Sequence, residues 1–246
     1  MITQKLSVVI PCFNEGRTIF ENIRKINGYL AERVQSFEII AVNDGSIDNT
    51  LAELQRTQKE IPLKIINDTE NSGKGKAVRD GILSASDESA VVIFLDADLG
   101  IPIEELEKFL EELDRGADIV IASRFVPGLR VTQPVLWYRK IMEKVFRILR
   151  KMILNSWRVE DTQCGFKVFK KAIAKKIFAM ATIERFAFDS EIIFIAKKFG
   201  FKIKELPITL QNPKNSSVRI LFDPVNMFFA LIKIRFYDLT GKYKWK

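Results

Sequence analysis

The sequence contains no histidine, which excludes a Ser-His catalytic pair, a histidine general base and His-ligated zinc. Its two cysteines, Cys12 and Cys164, lack metal-site spacing and predict reduced thiols in a cytosolic setting. No run of about 18 apolar residues is present and the N-terminus has no signal-peptide pattern, so we predict no transmembrane helix. Because histidine is absent, a general base in this chain must be a carboxylate, or the reaction must proceed without a protein base.

Positive charge is present in excess but is unevenly distributed. The 246 residues carry a formal net charge of +8 with 47% hydrophobic and 28% charged residues, an ordinary globular composition. The segment 124–176 holds fourteen Lys/Arg and three Asp/Glu, so the rest of the chain is slightly acidic. A basic segment on a nearly neutral body predicts an anionic partner, either a membrane surface or nucleic acid. Nucleic acid is disfavoured because the aromatic residues there have core-like spacing and no recognised motif occurs.

Short apolar runs alternate with helical patterns along the first half of the chain. Strands are predicted at 6–11, 37–42, 63–66, 91–95 and 118–122, and short strands at 202–206 and 208–210. Helices are predicted at 15–31 and 48–58, from the loop 71–76 to about Leu83, and from Pro102 onward, with a later helix ending near Phe199. This alternation predicts an α/β fold with a mostly parallel sheet flanked by helices.

Two carboxylates follow the most apolar of these strands. Asp96 and Asp98 come directly after Val91–Leu95, and alternate residues of a strand point to the same side. Ligands of open α/β sheets bind at the carboxyl ends of the strands. Two carboxylates without thiol or imidazole suit Mg²⁺ or Mn²⁺. The alternative is that Asp98 only caps the following helix.

Two further polar clusters are predicted at the same sheet edge. The turn-forming residues 43–46 follow the second strand, and the glycine–lysine loop 71–76 opens a helix. A helix N-terminus with lysines binds anions well, although this loop lacks the Walker A spacing. Either cluster alone could be an ordinary turn, but strands one, two and four all end in polar residues.

The segment 135–154 is the most amphipathic of the chain. Its apolar side carries Tyr138, Ile141, Met142, Val145, Ile148, Leu149 and Met152, and its polar side carries Lys140, Glu143, Lys144, Arg147, Arg150 and Lys151. Such a helix can lie in the plane of an anionic membrane with the basic residues at the headgroups. The alternative is a surface helix packed on the sheet with solvated lysines. A last helix from about Pro224 is apolar on one side but too polar to span a bilayer.

Several short motifs, in order and spacing, resemble the inverting GT-A glycosyltransferases of family two. They lie at 10–15, 43–50, 71–77, 96–98, 123–124, 161–166 and 186–191. Within this family the chain is most similar to the dolichyl-phosphate glucosyltransferases and the dolichol-phosphate mannose synthases. The run 161–167 and the closing Leu239-Thr240-Gly241 are more similar to the glucosyl branch.

The resemblance implies a GT-A (nucleotide-diphospho-sugar transferase) fold with C-terminal amphipathic helices and a set of site residues. Donor-binding residues would be Pro11, Phe13, Glu15, Asp44, Lys74 and Ala97, and Asp96 and Asp98 would be catalytic by holding Mg²⁺ or Mn²⁺. The acceptor phosphate would meet Arg124 (also catalytic), Arg139 and Arg219, and donor-sugar candidates are Asp161, Thr162 and Gln163. The chain departs from the family at Gly100, where many relatives have a side-chain acceptor, and at 215–217 in the late phosphate-binding loop.

The implied activity is transfer of a hexose, with UDP-glucose favoured, to polyprenyl or dolichyl phosphate on the cytoplasmic face of a membrane. The protein would be peripheral, with a catalytic domain at 1–211 that includes the basic amphipathic helix 135–154. Residues 212–246 would form a C-terminal loop and a membrane-proximal amphipathic helix. A lipid monophosphate is largely a dianion near neutrality and needs no base. Alternatives are a GDP-mannose donor, or a soluble glycan hydroxyl acceptor, which would need Asp161, Asp189 or Glu191 as base.

Overall fold

The computed structural model describes residues 1–131, 137–211 and 223–244. Nine strands occur in this part of the chain: β1 Leu6–Cys12, β2 Phe37–Asp44, β3 Leu63–Asp68, β4 Val91–Leu95, β5 Ile119–Ser123, β6 Arg130–Val131, β7 Phe166–Lys170, β8 Ile203–Pro207 and β9 Thr209–Leu210. The α-helices are α1 Ile19–Arg33, α2 Thr50–Glu60, α3 Lys74–Leu83, α4 Leu106–Asp114, α5 Trp137–Leu154, α6 Lys171–Met180, α7 Phe188–Lys198 and α8 Asp223–Leu239.

Seven strands form one sheet in the order β3-β2-β1-β4-β7-β5-β8, and β6 and β9 form a separate pair. Parallel pairing aligns Cys12 with Asn43, and Val9 with Phe94, so that β1, β2 and β4 end at one edge. All five residues of β4 are buried, as expected of a central strand covered on both faces. The predicted mostly parallel α/β sheet is therefore confirmed.

Strand β7 is antiparallel to both of its neighbours, β4 and β5, and was not predicted. Its sequence, Phe166–Lys170, is a short apolar run containing two lysines, and it follows a segment interpreted only as a motif. Helix α6, which begins at the next residue, was missed for the same reason. Together they return the chain to the middle of the sheet, next to the strand that carries the paired carboxylates.

Alternating residues of the strands fill two cores on opposite faces of the sheet. Val8 and Ile10 of β1 pack on one face with α1 and α4, whereas Val9 packs on the other with α3, α6 and α7. The predicted apolar side of the first helix is buried, at Ile19, Ile23, Ile26 and Leu30. Burial on both faces gives the sheet edge a rigid support.

Several predicted helix starts were early. Helix α1 begins at Ile19 and not at 15, because the backbone N–H groups of Glu15 and Gly16 donate to Thr50 and Asp48 in the next loop. After Pro102 the chain first makes the 3₁₀ turn Ile103–Glu105 before α4. Residues 12–18 are therefore free to form a loop at the sheet edge.

Helix α5 is amphipathic as predicted, but several of its basic residues face the protein body and not the solvent. Arg150 is 1% exposed and donates to Ser156 Oγ at 2.7 Å and to the carbonyl oxygen of Val159 at 2.8 Å. Lys151 and Arg147 pair with Glu160 on the body of the protein. Among Lys144, Arg147, Arg150 and Lys151, which were predicted to reach lipid headgroups, only Lys144 is exposed, and the prediction for Arg150 in particular is wrong.

One part of the apolar side of α5 is turned outward, whereas Phe146, Leu149 and Ile153 pack against the core. Exposed apolar side chains recur at helical spacing on α5 (Ile141, Val145, Ile148, Met152) and on α8 (Val225, Phe229, Ile232, Phe236, Leu239). We call these two sets the exposed stripes. Helices α5 and α8 pack against each other, while Leu231 and Ile234 of α8 are buried in the core beneath them. Within the described residues, no helix is long and apolar enough to cross a membrane.

Close packing of α3 on the sheet generates a stability prediction. A Cβ atom on Gly81 would lie 2.3 Å from Val9 Cγ1, whereas one on Gly28 in α1 would meet nothing within 4 Å. We expect Gly81→Ala to lower the free energy of unfolding by about 1–3 kcal/mol through overpacking. Gly28→Ala is the matched control and should raise it by roughly 0.5–1 kcal/mol, since alanine favours a helix interior. Urea denaturation measures both changes, and a Gly81→Ala protein as stable as wild type would contradict the packing described.

Candidate active site

The paired carboxylates lie where β4 ends at the carboxyl edge. The backbone N–H of Asp96 donates to the carbonyl oxygen of Gly165 at 3.0 Å, which ties the strand end to the start of β7. Asp98 Oδ1 accepts a bond of 2.9 Å from the Gly100 N–H, and Leu99 between them has a φ of 49°. The tight turn keeps both carboxylates at one edge, as their spacing predicted.

Gly165 is required for this arrangement. A Cβ atom at this position would lie 1.8 Å from Asp96 Oδ2 and 2.3 Å from Asp96 Cγ, distances that no side chain can adopt. Backbone therefore packs directly against the Asp96 carboxylate, and any substitution of Gly165 must displace Asp96.

Lys74 is brought to the carboxylates by the glycine–lysine loop. Its Nζ lies 2.5 Å from Asp96 Oδ1, and it is the first residue of α3, directly after Gly73 with a φ of 113°. Burial works to lower the pKa of Lys74, but Asp96, Asp189 and Asp98 outweigh it, and the pKa is raised. Lys74 is thus held as a cation beside Asp96.

Glu15 belongs to the same acidic cluster. Burial, followed by repulsion from Asp98, Asp96 and Asp48, raises its pKa to about 7. Burial and the neighbouring Asp96 also raise the pKa of Asp98. These shifts mean that the edge carries more negative charge than the protein itself neutralises, so a cation or a proton is favoured there.

Asp44 is bound by the glycine–lysine loop. Its two carboxylate oxygens accept bonds of 2.8 Å from the backbone N–H groups of Ser72 and Gly73, and Asn71 Nδ2 donates to Oδ2 at 3.1 Å. Asp44 is 3% exposed, so its orientation is fixed by backbone. The other predicted donor-binding residues lie around this edge: Pro11 is half-buried, Phe13 is exposed, and Ala97 is buried with its carbonyl accepting from Asn22 Nδ2.

Arg124 is held by acidic partners from two directions. Its Nε and Nη2 donate to the two oxygens of Asp161 at 2.8 and 3.1 Å, and its Nη1 lies 2.5 Å from Glu143 Oε1 on α5. Burial works to raise the pKa of Asp161, but Arg124 outweighs it and the pKa is lowered. Thr162 and Gln163 follow, and both side chains reach Ser190 Oγ at 3.4 and 3.3 Å. The predicted donor-sugar residues are therefore grouped between Arg124 and α7.

Two predicted phosphate contacts are not brought together with Arg124 by the described contacts. Arg139 lies in α5, in a part whose side chains are outside the description, and Arg219 lies outside the described residues, as do 215–217 and the predicted domain boundary at 211/212. Their roles remain predictions.

A buried ion pair beneath the site was missed from the sequence. Lys167 Nζ lies 2.5 Å from Asp189 Oδ1 and 2.6 Å from the carbonyl oxygen of Cys164, and the lysine side chain is fully buried. Its ammonium is 4.8 Å from the centroid of the Phe94 ring. The sequence signal for this ion pair was a lysine within an apolar run. Only the pairing of β7 with β4 shows that the lysine side chain lies beneath the site.

A divalent cation fits this edge only with help from a ligand. In the described parts of the chain, no group of three or more Cys, Asp or Glu side chains is arranged to hold a metal ion. Asp96 and Asp98 supply two carboxylates, and Mg²⁺ characteristically uses one or two carboxylates together with substrate phosphates and water. The excess negative charge at Glu15 and Asp98 favours a bound cation, so the donor set suits a metal that arrives with a diphosphate.

Comparison with known proteins gives consistent results. The model of the family described as Glycosyl transferase family 2 matches residues 7–178. A dolichyl-phosphate beta-glucosyltransferase of Trichomonas vaginalis is 33% identical, with 97% of this chain and 75% of the relative covered. The dolichyl-phosphate beta-glucosyltransferase of Homo sapiens is 30% identical, with 98% and 78% covered.

Solved structures with the same fold include glucosyl-3-phosphoglycerate synthase from Mycobacterium tuberculosis. Its complex with Mn²⁺, UDP and glucosyl-3-phosphoglycerate has a TM-score of 0.68 at 18% identity, covering 94% of this chain and 80% of that one. Its complex with Mn²⁺, UDP-glucose and phosphoglyceric acid has a TM-score of 0.65 at 17% identity, covering 98% and 80%. The predicted GT-A fold is confirmed.

The raised pKa of Glu15 generates a pH-dependent stability prediction. Between its ordinary 4.5 and about 7, the folded protein holds a proton that the unfolded chain releases, so stability is lost as pH rises through this window. Allowing for solvent screening of this half-buried group, we take the cost at pH 8 as about 1 kcal/mol. Glu15→Gln should therefore raise the unfolding temperature by roughly 2–4 °C at pH 8 and by less at pH 5.

Thermal melts followed by circular dichroism in metal-free buffer measure this difference. The control is Glu21→Gln, since Glu21 on α1 has a 73% exposed side chain and should show no pH-dependent gain. An equal rise in the unfolding temperature of Glu15→Gln at both pH values would contradict the raised pKa of Glu15 in the acidic cluster.

Proposed function

The chain belongs to glycosyl transferase family 2, and we propose that it transfers glucose from UDP-glucose to the phosphate of a polyprenyl or dolichyl lipid. Dolichyl-phosphate beta-glucosyltransferases align with nearly the whole chain, which supports both the sugar and the acceptor class. The observation that carries the proposal is that every carboxylate considered as a general base is already engaged.

The three candidate bases are each bound within the protein. Asp161 accepts from Arg124, Asp189 from Lys167, and Glu191 accepts from the N–H groups of Thr182 and Ile183 at 2.8 and 2.7 Å. All three are at most 2% exposed. An acceptor hydroxyl would need one of them free to remove its proton. A phosphate monoester needs none, because it is already largely a dianion near neutrality.

Donor binding is assigned to the acidic edge. Asp44, fixed by the amides of Ser72 and Gly73, would read the imide N–H of the base, while Pro11, Phe13, Glu15 and Ala97 line the nucleotide. A divalent metal held by Asp96 and Asp98 would supply Lewis-acid neutralisation of the leaving diphosphate. Lys74 already lies within reach of Asp96 and would add its positive charge beside the same group. Positioning and electrostatic stabilisation then provide most of the rate enhancement.

The acceptor phosphate is assigned to Arg124, with Arg139 and Arg219 as further contacts. The guanidinium of Arg124 is oriented by two bonds to Asp161, which leaves Nη1, now paired with Glu143, as the group that can exchange a carboxylate for a phosphate oxygen. Attack of that phosphate on the anomeric carbon in a single in-line step inverts its configuration. Asp161, Thr162 and Gln163 lie beside Arg124, where the donor sugar would be held.

The exposed stripes on α5 and α8 support docking on a lipid surface at the cytoplasmic face of a membrane. Nine apolar side chains between 44 and 72% exposed lie on two helices that pack together, which is more than scattered surface residues provide. Arg147, Arg150 and Lys151 of α5 bind the protein body, so insertion of apolar side chains is the main attraction, with Lys144 and Lys233 as exposed cations. Docking would bring Arg124, through its contact with α5, close to the membrane surface.

We expect turnover with UDP-glucose and a short-chain polyprenyl phosphate, and none with the corresponding polyprenol or with Asp98→Asn. The acid limb of activity should follow the second ionisation of the acceptor phosphate, at about 6. Replacing the acceptor by its phosphonate analogue, whose second pKa is higher, should move the limb upward by the same amount. If the acid limb stays at the same pH with the phosphonate, a protein base is at work and a hydroxyl acceptor is favoured. If turnover is faster with GDP-mannose than with UDP-glucose, the assignment of UDP-glucose as the donor is wrong.

We expect the protein to float with both neutral and anionic lipid vesicles. This binding should persist at high salt, because salt does not screen the insertion of apolar side chains. Replacing Ile148 and Phe229 together by serine should abolish flotation. Ile47→Ser is the matched control, since Ile47 is 91% exposed but distant in sequence from both stripes. Flotation that salt abolishes would show electrostatic attachment instead. A wild-type dimer converted to a monomer by the double substitution would show that the stripes join two copies.

A further inference from the structure

The Leu239-Thr240-Gly241 motif has no part in the chemistry proposed above, yet it sets the path of the chain end. The Thr240 N–H and hydroxyl both donate to the Phe236 carbonyl at 2.9 Å, which closes α8. Gly241 has a φ of 72°, a conformation that glycine adopts without strain, and Lys242 N–H donates back to the Tyr237 carbonyl. The chain thus reverses after α8, away from the exposed stripes and into the core.

Tyr243 is the residue that this reversal buries. It is 1% exposed, and its ring lies against Phe194 and Tyr237 at centroid distances of 6.1 and 6.3 Å. Its hydroxyl donates to Glu191 Oε1 at 2.7 Å. A buried tyrosine hydroxyl aimed at a carboxylate is more specific than packing alone requires.

Glu191 is fully buried, and the groups that bind it belong to the loop before α7. Besides Tyr243, it accepts from the Thr182 N–H and hydroxyl at 2.8 and 3.0 Å and from the Ile183 N–H at 2.7 Å. These bonds fix residues 182–183 in place. Tyr243 therefore completes the set of donors that holds this loop to α7.

The same loop is the surface on which the glycine–lysine loop rests. The Lys76 N–H donates to the Glu184 carbonyl at 3.1 Å. A Cβ atom on Gly75 would lie 2.5 Å from the Ile183 carbonyl oxygen, and one on Gly73 would lie 2.6 Å from that of Glu184. Backbone packs on backbone here, so a displacement of 182–184 must displace the glycine–lysine loop.

We propose that Tyr243 is a positioning residue for donor binding, which acts through Glu191 and residues 182–184 on the loop that orients Asp44 and Lys74. This inference rests on the proposed function, because it takes the donor to be a nucleotide diphosphate sugar bound at that loop. It connects the motif at 239–241 to the site through hydrogen bonds and backbone packing in turn.

The test uses Tyr243→Phe, which removes the hydroxyl and keeps the ring. We expect the Kd for UDP in the presence of Mn²⁺, measured by calorimetry well below the unfolding temperature, to rise about three- to tenfold. The KM for the donor should rise by the same factor, while kcat at saturating donor and the acceptor KM stay unchanged. Tyr237→Phe is the matched control on α8, since within the described residues the Tyr237 side chain makes ring contacts and no hydrogen bond, and the variant should bind UDP as wild type does.

Amide hydrogen exchange provides a second readout. Exchange should accelerate at 71–77 in Tyr243→Phe but not in Tyr237→Phe, whereas a purely structural role of Tyr243 in α8 would leave 71–77 unchanged. Wild-type affinity for UDP in Tyr243→Phe, or a fall in kcat without a change in Kd, would overturn the inference and leave the proposed function standing. Absence of UDP binding by the wild-type protein would instead overturn the proposed function, and the inference with it.

Discussion

Repulsion among carboxylates at the carboxyl edge of the sheet is the constraint on which the site depends. Glu15, Asp96 and Asp98 converge there, and burial together with their mutual repulsion raises the pKa values of Glu15 and Asp98. Lys74 places a positive charge beside Asp96, and backbone N–H groups bind the nearby Asp44. Both come from the glycine–lysine loop, whose glycines allow it to pack against neighbouring backbone. The remaining negative charge is suited to a metal and a diphosphate that arrive together.

Helix α5 links this edge to the protein surface. On the side facing the body, Glu143 contacts Arg124 and Lys151 pairs with Glu160, while an apolar stripe of the same helix is exposed. One helix therefore carries both a contact to the predicted phosphate-binding arginine and an exposed apolar stripe. This arrangement is compatible with the proposed lipid acceptor, because the exposed stripe and the contact to Arg124 lie on the same helix.

Local patterns were sufficient to predict the strands β1 to β5, the helices between them and the meeting of Asp96 with Lys74 and Asp44 at one edge. Strand β7 was not predictable, because its short apolar run with two lysines is explained only by antiparallel pairing with β4 and β5. Periodicity showed that α5 has two faces but not which one is buried, since Arg150 is stabilised by carbonyl groups distant from its own turn. The role of Tyr243 depends on a chain reversal and on Glu191, a contact across 52 positions.

The antiparallel direction of β7 has a consequence for how the family can diversify. The chain leaves the sheet at Ser123, the last residue of β5, and re-enters at Phe166, the first residue of β7, and these strands are neighbours. The segment 124–165 is therefore an excursion whose two ends are anchored side by side. Doubling the length of such an excursion costs only about 0.6 kcal/mol in closure entropy. Arg124, α5 and Asp161 all lie within it, so insertions and deletions there can change the proposed acceptor side while β1 to β4 keep their register.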